Sequence, residues 1–555
     1  MPDIIVEGDD VEVKAIVGGG YAAADRISQA LATWTPPLKE IDQEAIPHWP
    51  IIEARAQDMA RNDGYVQNAI TLHQNSVVGA WFRLNATPDV KALGIDDPVW
   101  EEEFQEEVEA KFSLWAESPE NWPDAARRMT FTGLIRLAVG VYLVSGEFLG
   151  VFEWMRDADR PLHTAFQPIE LLRLRTPPEF AHDDAVRAGI RVTKAGVPKF
   201  YYIYDRARDS YGAADTYRAL AARLPNGRPR VFHIVKHRRP GQTRGVSDLA
   251  AGLKEMKIAR QFREVTLQNA VVNASFAAAI ESELPAEQVF MALGAGNTDP
   301  AAAVKKYAQA FLSSVQEYVG NARHMQVDGV KIPHLYPGTK LHLHQLGTPG
   351  GVGQDFEKSL LRHLAATLGV SYEDLTRDFS ETNYSSARAA ALTVWREMQA
   401  RKREVADKLA TMIYRCWFEE VANLHPSKGG LECMRGRKLP NMYDGLNMEA
   451  YTKAEWIGAA RGQVDELKET QAAVLRVKYG LSTRRKEAAR LGQDWRDVAV
   501  QQAREKKLFE KLGLEEPKDD KMMNAASGSP REIKDEDGRS PTNERKGDAP
   551  DAEVD

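Results

Sequence analysis

Four groups of side chains have the types and spacing to do chemistry. Lys236, His237, Arg238, Arg239 and Arg244 flank Pro240-Gly241-Gln242 and form the densest basic cluster in the chain. Such a cluster is either a solvated loop or a contact for phosphate or a neighbouring subunit. Lys254, Lys257, Arg260 and Arg263 recur every three residues on an expected helix, along one slowly drifting side. There they would pair with acids of a neighbouring chain or touch phosphates. His342 and His344 share one side of a strand expected over Lys340 to Leu346, but no carboxylate or cysteine stands at ligand spacing, so no metal is expected. Cys433 and His425 have the types of a nucleophile and its base, yet the glycine-bearing stretch around them offers no defined scaffold.

The chain contains no G-x-x-x-x-G-K-[ST], G-x-G-x-x-G, H-E-x-x-H or G-x-S-x-G motif. A motor or hydrolase would need such parts, so neither an enzyme nor a cofactor is expected. Gly347, Pro349, Gly350, Gly351 and Gly353 crowd the connection between a strand ending near Leu346 and a helix starting near Asp355. Their backbone freedom predicts a mobile loop, by itself an ordinary surface connection.

These groups sit in a chain of mixed α+β character that is mainly helical. From Ile51 two helices meet at Asn62-Asp63-Gly64, the second carrying Tyr65, Ala69, Leu72 and Val77 on one side. Trp100, Phe104, Val108 and Phe112 recur every four residues in an acidic background, which predicts a helix with one buried aromatic stripe. Period-two runs at Phe148 to Trp154, Phe200 to Tyr204 and Val231 to Val235 predict strands, with Lys194-Ala195-Gly196 turning a hairpin. Helix resumes from Ser247 to about Asn273.

The longest pattern runs from Ser385 to Asn423, where Ala391, Met398, Val405 and Met412 repeat every seven residues. A helix of that length, about 55 to 60 Å, predicts an elongated architecture. The expected organisation is an arm over 1–50, a mixed body over 51–384, the long helix over 385–424, a linker over 425–449, a helical block over 450–514 and a disordered charged tail over 515–555.

A length of 555 residues argues for several structural units. The charged fraction of 28% and a net charge of -7 exclude binding of nucleic acid by bulk positive charge, so any contact with DNA is local or repulsive. Two cysteines far from metal spacing predict free thiols. The most apolar stretch, Gly133 to Val151, holds Arg136, Glu147 and several glycines, so no membrane span is expected.

Several stretches carry a family resemblance between about Trp34 and Gly513. They are Trp34-Thr35-Pro36-Pro37; Arg61-Asn62-Asp63-Gly64-Tyr65 with Ala69-Ile70 and Val78-Gly79; and Gly241-Gln242-Thr243-Arg244-Gly245. More specific are Gly369-Val370-Ser371-Tyr372-Glu373-Asp374-Leu375 and Tyr384-Ser385-Ser386-Ala387-Arg388-Ala389, followed by Gly480-Leu481-Ser482-Thr483 and Gly492-Gln493-Asp494. In this order they resemble the portal proteins of lambda-like tailed bacteriophages. The first twenty residues, the stretch from Lys428 to Leu446 and the tail depart from the pattern.

The resemblance implies a wing, stem, clip and helical crown, and a cyclic ring of about twelve subunits around a central channel at one capsid vertex of the virion. It implies assembly in the host bacterial cytoplasm, and passage of double-stranded DNA during packaging and ejection. The implied partners are the terminase large subunit, the major capsid and scaffold proteins and a head-tail adaptor, with no membrane. The alternatives are another virion component, such as an adaptor or baseplate subunit, and a DNA-processing enzyme of the packaging machine.

Overall fold

The computed structural model describes residues 33–205, 216–276, 309, 325–327, 330–332, 352–380, 382–460 and 466–514. The chain divides into two compact units, 1–464 and 465–555. The charged segment after Glu515, the strand expected over Lys340 to Leu346 and the loop positions Gly347, Pro349, Gly350 and Gly351 lie outside the described residues.

In the first unit, α1 (Ile41–Asn62) and α2 (Gly64–Val77) meet at Asp63, whose carboxylate accepts the N–H groups of Tyr65 and Val66 and so caps α2. The turn lies where Asn62-Asp63-Gly64 predicts it. Helix α1, however, begins at Ile41 rather than near Ile51 and contains Pro47 and Pro50. Its early turns bury Asp42, Ala45 and Trp49, and this tertiary packing outweighs the local cost of proline. Residues 41–50 therefore belong to the body, not to an arm.

Strand β1 (Arg83–Ala86) and the short α3 (Val90–Leu93) lead to α4 (Pro98–Ala116), capped by Asp97. Trp100, Phe104, Val108 and Phe112 are all buried, as their spacing predicts. Next comes α5 (Phe131–Ser145), the most apolar helix, enclosed in the core. Among the described residues no helix is long and apolar enough to cross a membrane.

Strand β2 (Glu147–Trp154) pairs antiparallel with β3 (Thr164–Ile169) and, through its first half, with β8 (Val231–Val235). Its Phe148 and Phe152 enter the main core while Leu149 and Val151 enter a second, smaller one. The strand is thus buried on both faces, the period-two side that predicts it against the main core and the residues between against the smaller one. The smaller core fills the sheet of β4 (Val186–Arg187), β5 (Ile190–Val192), β6 (Pro198–Asp205) and β7 (Thr216–Ala221). Gly196, at φ +82°, turns the β5–β6 hairpin expected there.

The chain continues through α6 (Leu253–Phe276), the pair β9 (Met325–Val327) and β10 (Val330–Ile332), α7 (Val352–Leu368) and α8 (Tyr372–Thr376). Gly353 falls inside the first turn of α7 instead of in the preceding loop; near a helix start, where N–H groups lack partners anyway, glycine interrupts little.

The long helix is α9 (Tyr384–Arg401) and α10 (Asp407–Asn423), joined without a break by a π turn over Lys402–Ala406. The extra residue of the π turn moves the buried face. Ala391 is exposed and Trp395 half-buried, whereas Met398, Val405, Leu409, Tyr414, Trp417 and Phe418 are buried. A constant seven-residue repeat misses that shift.

After α10 the stretch expected as a linker is packed. Glu107 accepts the N–H groups of Glu432 and Cys433, and the Trp100 indole donates to the Cys433 carbonyl. After α11 (Asn447–Tyr451), β11 (Ala454–Ile457) pairs with β1. Residues 450–457 therefore close the first unit rather than open a helical block. The second unit comprises α12 (Glu466–Lys478), α13 (Arg484–Arg490) and α14 (Trp495–Leu512), with Glu487 accepting from Arg476 and Arg490.

Phe112 is the hub of the main core, with ring centroids 5.2 to 5.9 Å from Trp115, Phe131, Tyr414, Trp417 and Trp456. Truncating Phe112 to Ala should cost about 3 to 5 kcal/mol, since surrounding rings this large cannot close the cavity. Urea unfolding of the variant should show this loss; a change below about 1 kcal/mol would mean that the rings repack.

Candidate functional site

The basic segment and the basic helix lie on one continuous path. The segment 236–248 connects β8 to α6, and two buried charge clusters hold it. Arg244 is 3% exposed. Its guanidinium lies 2.7 Å from Glu147 at the start of β2 and stacks 4.1 Å from the Trp49 ring of α1. The Glu147 carboxylate also accepts from Gly245 N–H and faces His233 Nε2 at 3.1 Å. Burial alone would raise this carboxyl, but Arg244 and His233 outweigh it and hold it at about 2. Gly245 and Gly146 allow the approach: a Cβ on Gly146 would run into the Val246 backbone and one on Gly245 into the Gly146 backbone, and Gly146 sits at φ +72°.

The second cluster centres on Asp248, which accepts from Lys236 at 2.7 Å and from Arg401 of the long helix at 2.9 Å, with Arg238 at 3.4 Å. Burial works to raise the Asp248 carboxyl, but these cations hold it below its ordinary value. Beside this cluster, His73 of α2 is buried and neutral, its pKa lowered to about 3 chiefly by burial, and its Nε2–H donates to the Leu368 carbonyl at the end of α7. Arg239 reaches Glu44 at 2.9 Å and the Lys39 carbonyl, and Thr243 bonds Asp42.

The basic loop of the sequence is therefore an internal clamp. Lys236, Arg238, Arg239 and Arg244 all face acids of this chain, and Arg244 in particular is core, not a solvated loop. Glu147, Asp248, Arg401 and Trp49, which complete the clamp, carry no motif. Their only signal is the glycine-flanked Gln242-Thr243-Arg244, because their partners lie far away in sequence.

The clamp fixes the origin of α6. That helix buries Met256 and Ala259 and points Lys254 and Lys257 into solvent. Arg260 pairs with Glu264 at 3.0 Å, and Arg263 lies 2.7 Å from Asp63 and 4.8 Å over Tyr65. The four are thus not one belt. A step of three residues drifts by about 60°, so Lys254 and Arg263 sit about half a turn apart. Among the described residues neither Lys254 nor Lys257 has an ion-pair partner.

His425 bonds Ser427 and is not joined to Cys433. Both thiols are free and buried; burial pushes Cys416 up to about 12 and Cys433 also well up. Such thiols are poor nucleophiles. Among the described residues no His, Cys, Asp and Glu group has the make-up of a metal site.

Arg244→Met should leave the buried Glu147 without its main cation, with only His233 and the Gly245 N–H facing it, and cost about 3 to 5 kcal/mol. In the native chain the depressed Glu147 carboxyl contributes stability that is complete above about pH 4.5 and is lost as pH falls towards about 2. Unfolding followed across that window should show an acid-labile component in the native chain and a smaller one in the variant. Identical pH profiles would mean that the pair is not the source.

A family described as phage portal protein, lambda family, matches residues 28–402. The portal protein of Escherichia phage N15 is 34% identical over 508 residues, covering 90% of this chain and 91% of that one. Portal protein B of Escherichia phage lambda is 33% identical over 510 residues, with 90% and 91% covered. A chain from the virion of a native gene transfer agent particle aligns over 81% of this chain and 98% of its own at 11% identity, with a TM-score of 0.35, a likeness too slight to carry weight. The match over most of the length removes the adaptor, baseplate and processing-enzyme alternatives: the chain belongs to the lambda family of phage portal proteins and is a structural portal subunit.

Proposed function

We propose that the chain assembles into a closed ring of about twelve copies at one capsid vertex of the virion, with double-stranded DNA passing through its channel during packaging and ejection. The terminase large subunit docks on this ring, as does the head-tail adaptor, and capsid and scaffold proteins surround it. Assembly takes place in the host bacterial cytoplasm. The wing, stem, clip and helical crown are the parts of that ring, with the second unit as the crown.

The observation that carries the DNA role is the outward pair Lys254 and Lys257 on a helix whose origin is clamped by buried charges. A conduit needs a few fixed positive charges against an otherwise acidic wall, since tight binding would stop the duplex moving. The net charge of -7 supports that balance. Gly347, Pro349, Gly350 and Gly351 are the proposed channel loop ahead of α7.

The purified chain should run as a closed particle of about twelve subunits in native mass measurement. Lys254→Gln with Lys257→Gln should leave that particle intact and change the amount of DNA packaged or retained. A monomer or dimer at micromolar concentration would overturn the ring, and unchanged packaging in the double variant would remove these lysines from the channel.

A further inference from the structure

A cleft of about 330 Å³ opens where the α1–α2 turn, α6 and the end of α8 meet. Arg260, Arg263 and Arg377 line it, with Tyr65, Asn68 and Asp63. The charges do not balance. Asp63 is occupied twice, capping α2 with one oxygen and meeting Arg263 with the other. Glu264 meets Arg260 only as an exposed neighbour on the same helix, a pair of little strength. Arg377 has a neutral partner, the Asn68 side-chain oxygen at 3.2 Å.

Arg377 is also held in an unfavourable conformation. It caps α8 at φ +61°, in the left-handed region, where glycine or asparagine would sit without strain. Asn68 fixes this corner by donating to the carbonyls of Asp374 and Leu375. The strain of about 1 to 2 kcal/mol is borne by a residue whose guanidinium projects into an arginine-lined cleft. Leu375, the last apolar residue before this corner, is among the residues that line the cleft.

On other elements the chain carries the complement. The outer face of α4 presents Val99, Glu103, Glu106, Ala110 and Leu114 along one line, with Glu102 beside it. Leu114 is 77% and Val99 57% exposed, although the opposite face of this helix is the best-packed stripe of the core. Among the described residues Glu102 and Glu106 have no ion-pair partner, while Glu103 meets Arg437.

We propose that the arginine cleft of one copy receives the acidic, apolar-ended face of α4 of the next copy, and that this contact sets subunit against subunit. The inference rests on the ring reading, because a head-to-tail ring requires two different, complementary surfaces on each chain. Carboxylates suit the cleft better than a DNA backbone. Asp63 and Glu264 temper its charge, Tyr65 offers apolar contact, and planar guanidinium groups match carboxylates in pairs.

The test uses the full chain. Arg260→Glu with Arg377→Glu should raise the protein concentration needed for half-assembly by roughly tenfold or more, as should Glu102→Arg with Glu106→Arg. All four changes in one chain should restore assembly towards that of the native protein. Arg263 is left in place because it anchors Asp63. Circular dichroism and native-like unfolding of each variant separate lost assembly from lost folding. If the native chain itself forms no ring, the proposed function fails. If it forms rings that both charge-reversed variants leave unchanged, or that the combined swap does not restore, the cleft is not the subunit contact. If the cleft variant assembles normally but loses retention of a DNA duplex, the site reads phosphate and the proposal is overturned.

Discussion

The buried pair of Arg244 and Glu147 is the constraint on which the rest of the first unit depends. It joins a loop, the start of β2 and, through Trp49, the first helix at one point that water does not reach. The pair is costly to desolvate and costly to break, so its value is geometric: only one arrangement of these three elements satisfies both charges. The two glycines that abut beside it, Gly146 and Gly245, remove the side chains that would hold the loop away from the start of β2.

From that point the geometry propagates. A few residues on, Asp248 collects Lys236, Arg238 and Arg401, and so ties the same loop to the long helix just before its π turn. Helix α6 starts immediately afterwards, with a fixed origin and a fixed rotation. Cations placed on α6 are therefore placed with respect to the whole body. A wall that guides a moving polyanion needs charges in fixed places more than it needs many of them.

Much of the fold was legible in the sequence. The aromatic stripe of α4, the turn at Asp63, the hairpin at Gly196 and the three strands of the mixed region all carry local signals, because periodicity and turn chemistry are read within a few residues. The clamp was not legible. Arg244 and Glu147 are 97 residues apart, and a basic cluster on paper looks the same whether its partners are solvent, DNA or the chain's own core. The start of α1 was missed because prolines mark boundaries locally while burial of Trp49 decides globally. The slow drift of the four-residue basic row is legible in its spacing, but not that it sends the two ends to opposite duties: Lys254 faces solvent and Arg263 braces the α1–α2 turn.

An electron-microscopic reconstruction of the full chain at side-chain detail should show a closed ring in which α6 lines the lumen with Lys254 and Lys257 facing the axis, while Arg244 stays enclosed against Glu147. A ring with α6 on its outer wall, or one in which Arg244 has left Glu147 to face the channel, would contradict this placement.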